Sequence, residues 1–170
     1  MAENTNPSPL APYPVAVVME RVKLENRWET ERWDVKGVVR DASPPGSGER
    51  VIVSDERVMQ ILFPGFTIKL HRDEAEGYLY NVTSPEPKVF VMWRVGEDGI
   101  ARPESLSVSY HEGARWMDTE ETVGAAALPP DLLAWIAEFG AAHYKEEPKK
   151  KKRYASSRDK GVASHRDGTG

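Results

Sequence analysis

Apolar and polar residues alternate with a period of two through most of the middle of this chain, and a helical period surfaces clearly only near its end. Val15, Val17 and Met19 alternate with Ala16, Val18 and Glu20, which predicts a strand covered on both faces and therefore central in its sheet. Between Arg32 and Val39, the residues Trp33, Val35, Gly37 and Val39 share one parity while Arg32, Asp34 and Lys36 take the other, the mark of a half-buried strand. Residues 50–53 and 58–63 are apolar enough for two short strands, the second stopped by Pro64-Gly65. Phe66, Ile68 and Leu70 then alternate with Thr67, Lys69 and His71, and a polar stretch ending in Gly77 leads to Tyr78, Tyr80 and Val82, which predicts a β-hairpin with a longer loop.

Residues 88–95 (KVFVMWRV) form a further strand of β-branched and aromatic residues, 96–99 a turn, and 105–110 a strand with Leu106, Val108 and Tyr110 on one side. Residues 111–118 suit one or two helical turns. In 131–144 the residues Leu132, Ile136, Phe139 and His143 share a face, joined by Trp135, and Pro129-Pro130-Asp131 supplies a helix start. The expected fold is mainly β (α+β): a small antiparallel β-barrel or sandwich of six to seven strands with one C-terminal amphipathic helix.

Composition sharpens the domain limits. The 170 residues, 39% hydrophobic and 29% charged with five Trp, suffice for one compact domain and no more. Residues 1–13 and 145–170 are poor in apolar content and are expected to be disordered, leaving one globular unit at 14–144. The formal charge of -4 hides an asymmetry: residues 1–144 carry 14 Lys+Arg against 23 Asp+Glu, whereas 145–170 carry 9 against 4. The expected picture is an acidic globule with a basic tail. The absence of cysteine excludes disulfides, thiolate metal sites and thiol nucleophiles. No basic stretch followed by an apolar run opens the chain and no long apolar run occurs, so a cytoplasmic location away from membranes is expected.

Motifs that would carry chemistry are sparse. A phosphate cradle needs clustered glycines between strand and helix, and SPPGSG at 43–48 offers prolines without N–H groups and no following helix. His71, His111, His143 and His165 show no metal-binding spacing, although His71 with Asp73, Glu74 and Glu76 would gather cation ligands at one turn. Ser107, Ser109, His111, Glu112, Arg115 and Asp118 crowd one segment, yet Glu112 and Arg115 at i,i+3 are equally an ion pair. Among the tryptophans, Trp28 sits in a polar stretch with few neighbours to cover it and suits an interface. The run KKKKR at 149–153 would attract phosphate backbones, but no aromatic platform flanks it. No catalytic residue, cofactor or metal is expected from these patterns.

The segments PYPVAVVMERV, NRWETERWDVKGVV, LFPGFTIKLHRDEAEGYLYNVTSPEPKVFVMWRV and SVSYHEGARWMD give the chain a resemblance to the bacterial domain-of-unknown-function family 3305, over roughly 13–147. Members of that family are encoded beside molybdenum-dependent formate dehydrogenase genes, and some carry a label as molybdopterin-guanine dinucleotide biosynthesis proteins. The neighbourhood implies a non-catalytic accessory or maturation protein that binds a formate dehydrogenase subunit or another maturation factor. The label implies instead an enzyme handling molybdopterin or guanine nucleotide, but the LAGG opening and basic glycine-rich loop of such transferases are missing here. A third reading is a nucleic-acid-binding regulator that works through the basic tail. The resemblance supplies no catalytic positions, so the expected partner-binding residues come from this sequence: Trp28, His71, Arg72, Asp73, Glu76, Asn81, Arg94 and Arg115.

Overall fold

The computed structural model describes residues 13–145, so nearly all of both predicted disordered ends, including the basic run, lies outside the described residues. Seven strands form two antiparallel sheets. The first contains β1 (Tyr13–Lys23), β2 (Glu31–Arg40), β3 (Arg50–Ser54) and β4 (Val58–Ile68) in the order β2-β1-β4-β3. The second contains β5 (Lys88–Val95), β6 (Ala101–Ser107) and β7 (Val123–Ala127) in the order β6-β5-β7. Helices α1 (Ala75–Val82), α2 (Tyr110–Asp118) and α3 (Leu133–His143) complete the fold, and the sheets do not close into a barrel.

The first strand takes the central place its sequence predicts. It is laddered to β2 on one edge and β4 on the other, and the five residues from Val15 to Met19 are all buried. Val15, Val17 and Met19 share one apolar cluster with Val89 and Val91 of the second sheet, with Leu132 of the 3-10 turn Pro130–Leu132, and with Ile136 and Phe139 of α3, so both sheets and the last helix close over a single core. Each such fully buried side chain contributes about 2 kcal/mol of transfer free energy.

Two bulges change what simple alternation predicts. Val18 pairs with Gly37 and Met19 with Val35, which leaves Lys36 as an extra residue in β2. Side-chain parity flips there, so Val38 is buried while Val39 is 45% exposed. In β4, Val17 pairs with Phe63 and Val15 with Phe66, so Pro64 and Gly65 together face Ala16. The strand therefore runs through Pro64-Gly65 instead of stopping. A bulge accommodates a proline that lacks an N–H, and Gly65 takes φ +92°, a left-handed value that side chains resist. The Gly65 N–H donates to Asp41 Oδ2 at 2.9 Å, which fixes the bulge from outside the ladder.

The predicted hairpin over 66–82 is not formed. Its first half is the end of β4, but Arg72–Glu74 is a 3-10 turn and residues 75–82 are α1. Ala75, Tyr78 and Val82 also satisfy the i, i+3, i+7 spacing of a helix, and Gly77 permits close packing on α2 instead of making a turn. Among the described residues the fold thus holds three α-helices: α3 where the C-terminal helix is expected, α2 where 111–118 suit one or two helical turns, and α1 in place of the expected hairpin strand. The strand expected at 105–110 likewise ends at Ser107, and Ser109 caps α2 by accepting the Glu112 N–H at 3.1 Å. β7 has the sequence VGAAA, with little intrinsic strand character; it is held by its ladder to β5 and by contact with β2. A Cβ on Gly124 would stand 2.6 Å from Val35 Cγ2, so only glycine fits between the two sheets there.

The beginning and end of the fold are clasped together. The Tyr13 hydroxyl donates to Asp131 Oδ2, Arg40 Nε donates to the Tyr13 oxygen at 2.9 Å, and the Arg40 guanidinium lies 4.6 Å from the Tyr13 ring centre. Burial and the Asp131 carboxylate both raise the Tyr13 pKa.

Candidate functional site

Two strand edges without ladder partners among the described residues border an open groove. β4 is paired to β3 only as far as Leu62, so its later part pairs with β1 alone, and β6 pairs with β5 alone. Between them lies a cleft of about 470 Å³. Phe66, Thr67 and Lys69 line it from β4 and the residues just after it, and Ser105 and Leu106 line it from β6. His71 also lines the cleft, together with Glu112 and Trp116 of α2. Lys69 and Glu112 have no ion-pair partner among the described residues, whereas Glu104, also in the lining, pairs with Arg94 at 3.2 Å. The groove presents apolar strand positions flanked by one unpaired cation and one unpaired carboxylate.

The local chemistry of the sequence holds the end of this groove in place. The Ser109 hydroxyl donates to Glu74 Oε1 at 2.6 Å while accepting the Glu112 N–H. The other oxygen of Glu74 accepts from Arg115, so one carboxylate ties α2 to the 3-10 turn before α1. That hydrogen bond raises the Arg115 pKa further, and the guanidinium stays charged. The His71 N–H donates to the Tyr78 hydroxyl oxygen at 2.8 Å, which fixes the backbone where the groove meets α1. Burial pushes the Tyr78 hydroxyl up to about 12. Both sides of the Ser109 hydroxyl are engaged structurally, so the crowded segment around it works as a helix cap and brace.

The expected site residues separate into distinct places. His71 lines the groove and Arg115 braces it. Arg72, Asp73 and Glu76 line a second cleft of about 500 Å³ with His143 and Tyr144. Glu76 also lies 3.7 Å from His111, whose ring centre is 5.2 Å from that of the exposed Tyr80, tilted by 55°. Asn81 is wholly buried and structural: its Nδ2 donates to the carbonyls of Lys88 and Val108 at 2.7 and 2.9 Å, and its Oδ1 accepts the Lys88 N–H at 2.9 Å. Arg94 is held between Glu104 and Glu121, which raise its pKa and keep it charged. Trp28 stands 85% exposed in the β1–β2 loop, with the Arg27 guanidinium 5.9 Å from its ring, and does not line the groove.

Sequence reasoning missed Phe66, Lys69, Ser105, Leu106 and Trp116. Each looks ordinary in sequence, and the only available signal is that Phe66 and Leu106 sit at apolar parities of strands whose neighbours are unknown until the topology is known. Among the described residues no group of three or more His, Asp or Glu side chains is placed to hold a metal ion, so the carboxylates near His71 do not converge with it. Nor is any helix of the described residues long and apolar enough to cross a membrane.

The architecture defines a mainly β protein of two antiparallel sheets and three helices. Within that class the chain belongs to the family described as "Protein of unknown function (DUF3305)", whose model matches residues 14–153. No curated protein and no solved structure matches it.

Proposed function

We propose that this protein is a non-catalytic accessory factor that holds an extended segment of a molybdenum-dependent formate dehydrogenase subunit, or of one of its maturation factors, in the groove between β4 and β6. The supporting observation is the pair of unpaired strand edges facing one cleft. A strand entering there gains backbone hydrogen bonds from either edge, the mode in which sheets bind peptides by strand addition. The free part of β4 from Phe63 to Ile68 spans about 17 Å at ~3.4 Å per residue, enough to register several residues of a partner. Phe66 and Leu106 favour apolar side chains on the inserted segment, and Lys69 favours a carboxylate near its end. The partner's identity rests on the family resemblance, which implies encoding beside formate dehydrogenase genes.

Affinity capture from formate-grown cells tests the reading, with wild type compared against Lys69→Glu and Ser105→Trp. The first variant reverses the groove charge at an exposed residue, and the second fills the cleft. Wild type is expected to recover a formate dehydrogenase component or maturation factor, and both variants are expected to lose it. Recovery of no such component by wild type overturns the accessory role, and recovery unchanged in both variants overturns the groove as its seat.

A further inference from the structure

The most exposed apolar strand lies on the part of β4 remote from the groove residues. Every residue of β3 is exposed, and Val51, Ile52 and Val53 stand 54%, 44% and 38% accessible at consecutive positions, so neither face of the strand is covered. One edge is laddered to β4 over residues 59–62, and the other has no partner among the described residues. Sheet edges are ordinarily blunted by inward charges, prolines or lysines. Here the three central residues are aliphatic and charge appears only at the ends, as Arg50 and Asp55. Asp55 Oδ1 accepts the N–H groups of Arg57 and Val58 at 2.8 and 2.9 Å, while its Oδ2 has no partner among the described residues.

This strip is complementary to itself. We propose that β3 pairs antiparallel with β3 of a second copy of this chain, joining the two four-stranded sheets into one of eight strands about a twofold axis. In an antiparallel pair related by a twofold axis, the numbers of facing residues share a constant sum, so each contact occurs twice. The register that sets Arg50 against Asp55 also sets Ile52 against Val53 and Val51 against Ser54. Both ion pairs and both aliphatic pairs then form together, and the strand that no described residue covers is paired on both edges. The strip is short, and β3 is bulged at Ile52 on its β4 side, where Val51 pairs with Ile61 and Val53 with Gln60. The contact is therefore smaller than the ~1,200–2,000 Å² of a standard interface, and the dimer is weak and concentration-dependent.

Sedimentation equilibrium of the full chain across the micromolar to millimolar range tests this. Wild type is expected to rise from 19.1 kDa toward twice that mass. Val53→Lys and Arg50→Asp, both at exposed positions, are expected to remain at the monomer mass with unchanged circular dichroism. A wild type that stays monomeric at the highest concentration overturns the proposal. So does self-association that survives both substitutions.

Discussion

Gly77 on α1 lies so close to Ser109 at the start of α2 that an added Cβ would stand 2.1 Å from the Ser109 hydroxyl oxygen and 3.2 Å from the His111 nitrogen. The hydroxyl has no freedom to retreat, because it caps α2 and donates to Glu74. Gly77→Ala is therefore expected to cost about 1–3 kcal/mol, the scale of overpacking a tight contact, despite the gain in helix propensity. Urea denaturation of the single variant gives the number. Combined with Ser109→Ala, the loss should fall short of the sum of the two singles, since both act on one contact.

Asn81 supports three backbone groups with one side chain, at a site without solvent. Asn81→Ala leaves the Lys88 N–H and the carbonyls of Lys88 and Val108 short of a partner. A buried orphan group costs ~1–3 kcal/mol, so the variant should lose on the order of 3 kcal/mol or more in chemical denaturation. Amide exchange at Lys88 should accelerate along with it.

Tyr78 predicts an alkaline limb of stability. Its folded pKa is raised from 10.0 to about 12 by burial, so its protonated hydroxyl favours the folded chain fully below pH 10, and that stability is lost as pH rises toward 12. Tyr78→Phe should flatten the limb measured by denaturation between neutral pH and about pH 11. At neutral pH it should cost about 1 kcal/mol for the lost acceptor of the His71 N–H.

Asp41 predicts the opposite limb. The N–H groups of Gly65 and Ser43 hold its carboxyl below the usual value of 3.8. Its ionised form stabilises the fold above that value, and the contribution is lost as pH falls through the lower folded pKa. Asp41→Asn should flatten the acid limb of the stability curve and loosen the β4 bulge, visible as faster exchange of the Gly65 amide. An acid limb identical to that of wild type would remove Asp41 from this role.

Strand existence was legible wherever apolar residues alternated without interruption, as in β1, β2 and β5. The placement of α3 was legible as well, because Leu132, Ile136 and Phe139 repeat at helical spacing and are all buried. What failed was decided by contacts between distant segments. Tyr78, Tyr80 and Val82 fit either period, and only packing of Gly77 against Ser109 and of Gly140 against Leu79 selects the helix. VGAAA is a strand through its ladder to β5, and Gly124 is the residue that fits beside Val35. Of the site, the chain itself pointed to His71 and Arg115. The groove is a relation between two strand edges, and no single residue announces which edge its strand will leave open.

The middle position of β1 has a consequence for how the chain is made. The earliest described segment presents five successive residues that end up without solvent, yet its second ladder closes only after residue 68 is available and its overlying helix only after residue 139. A growing chain therefore carries Val15–Met19 with at most the β2 ladder closed until those later segments emerge. Such non-local closure is slow and vulnerable to sticking, so the protein should depend on chaperone shielding of its own first strand before it can serve any partner.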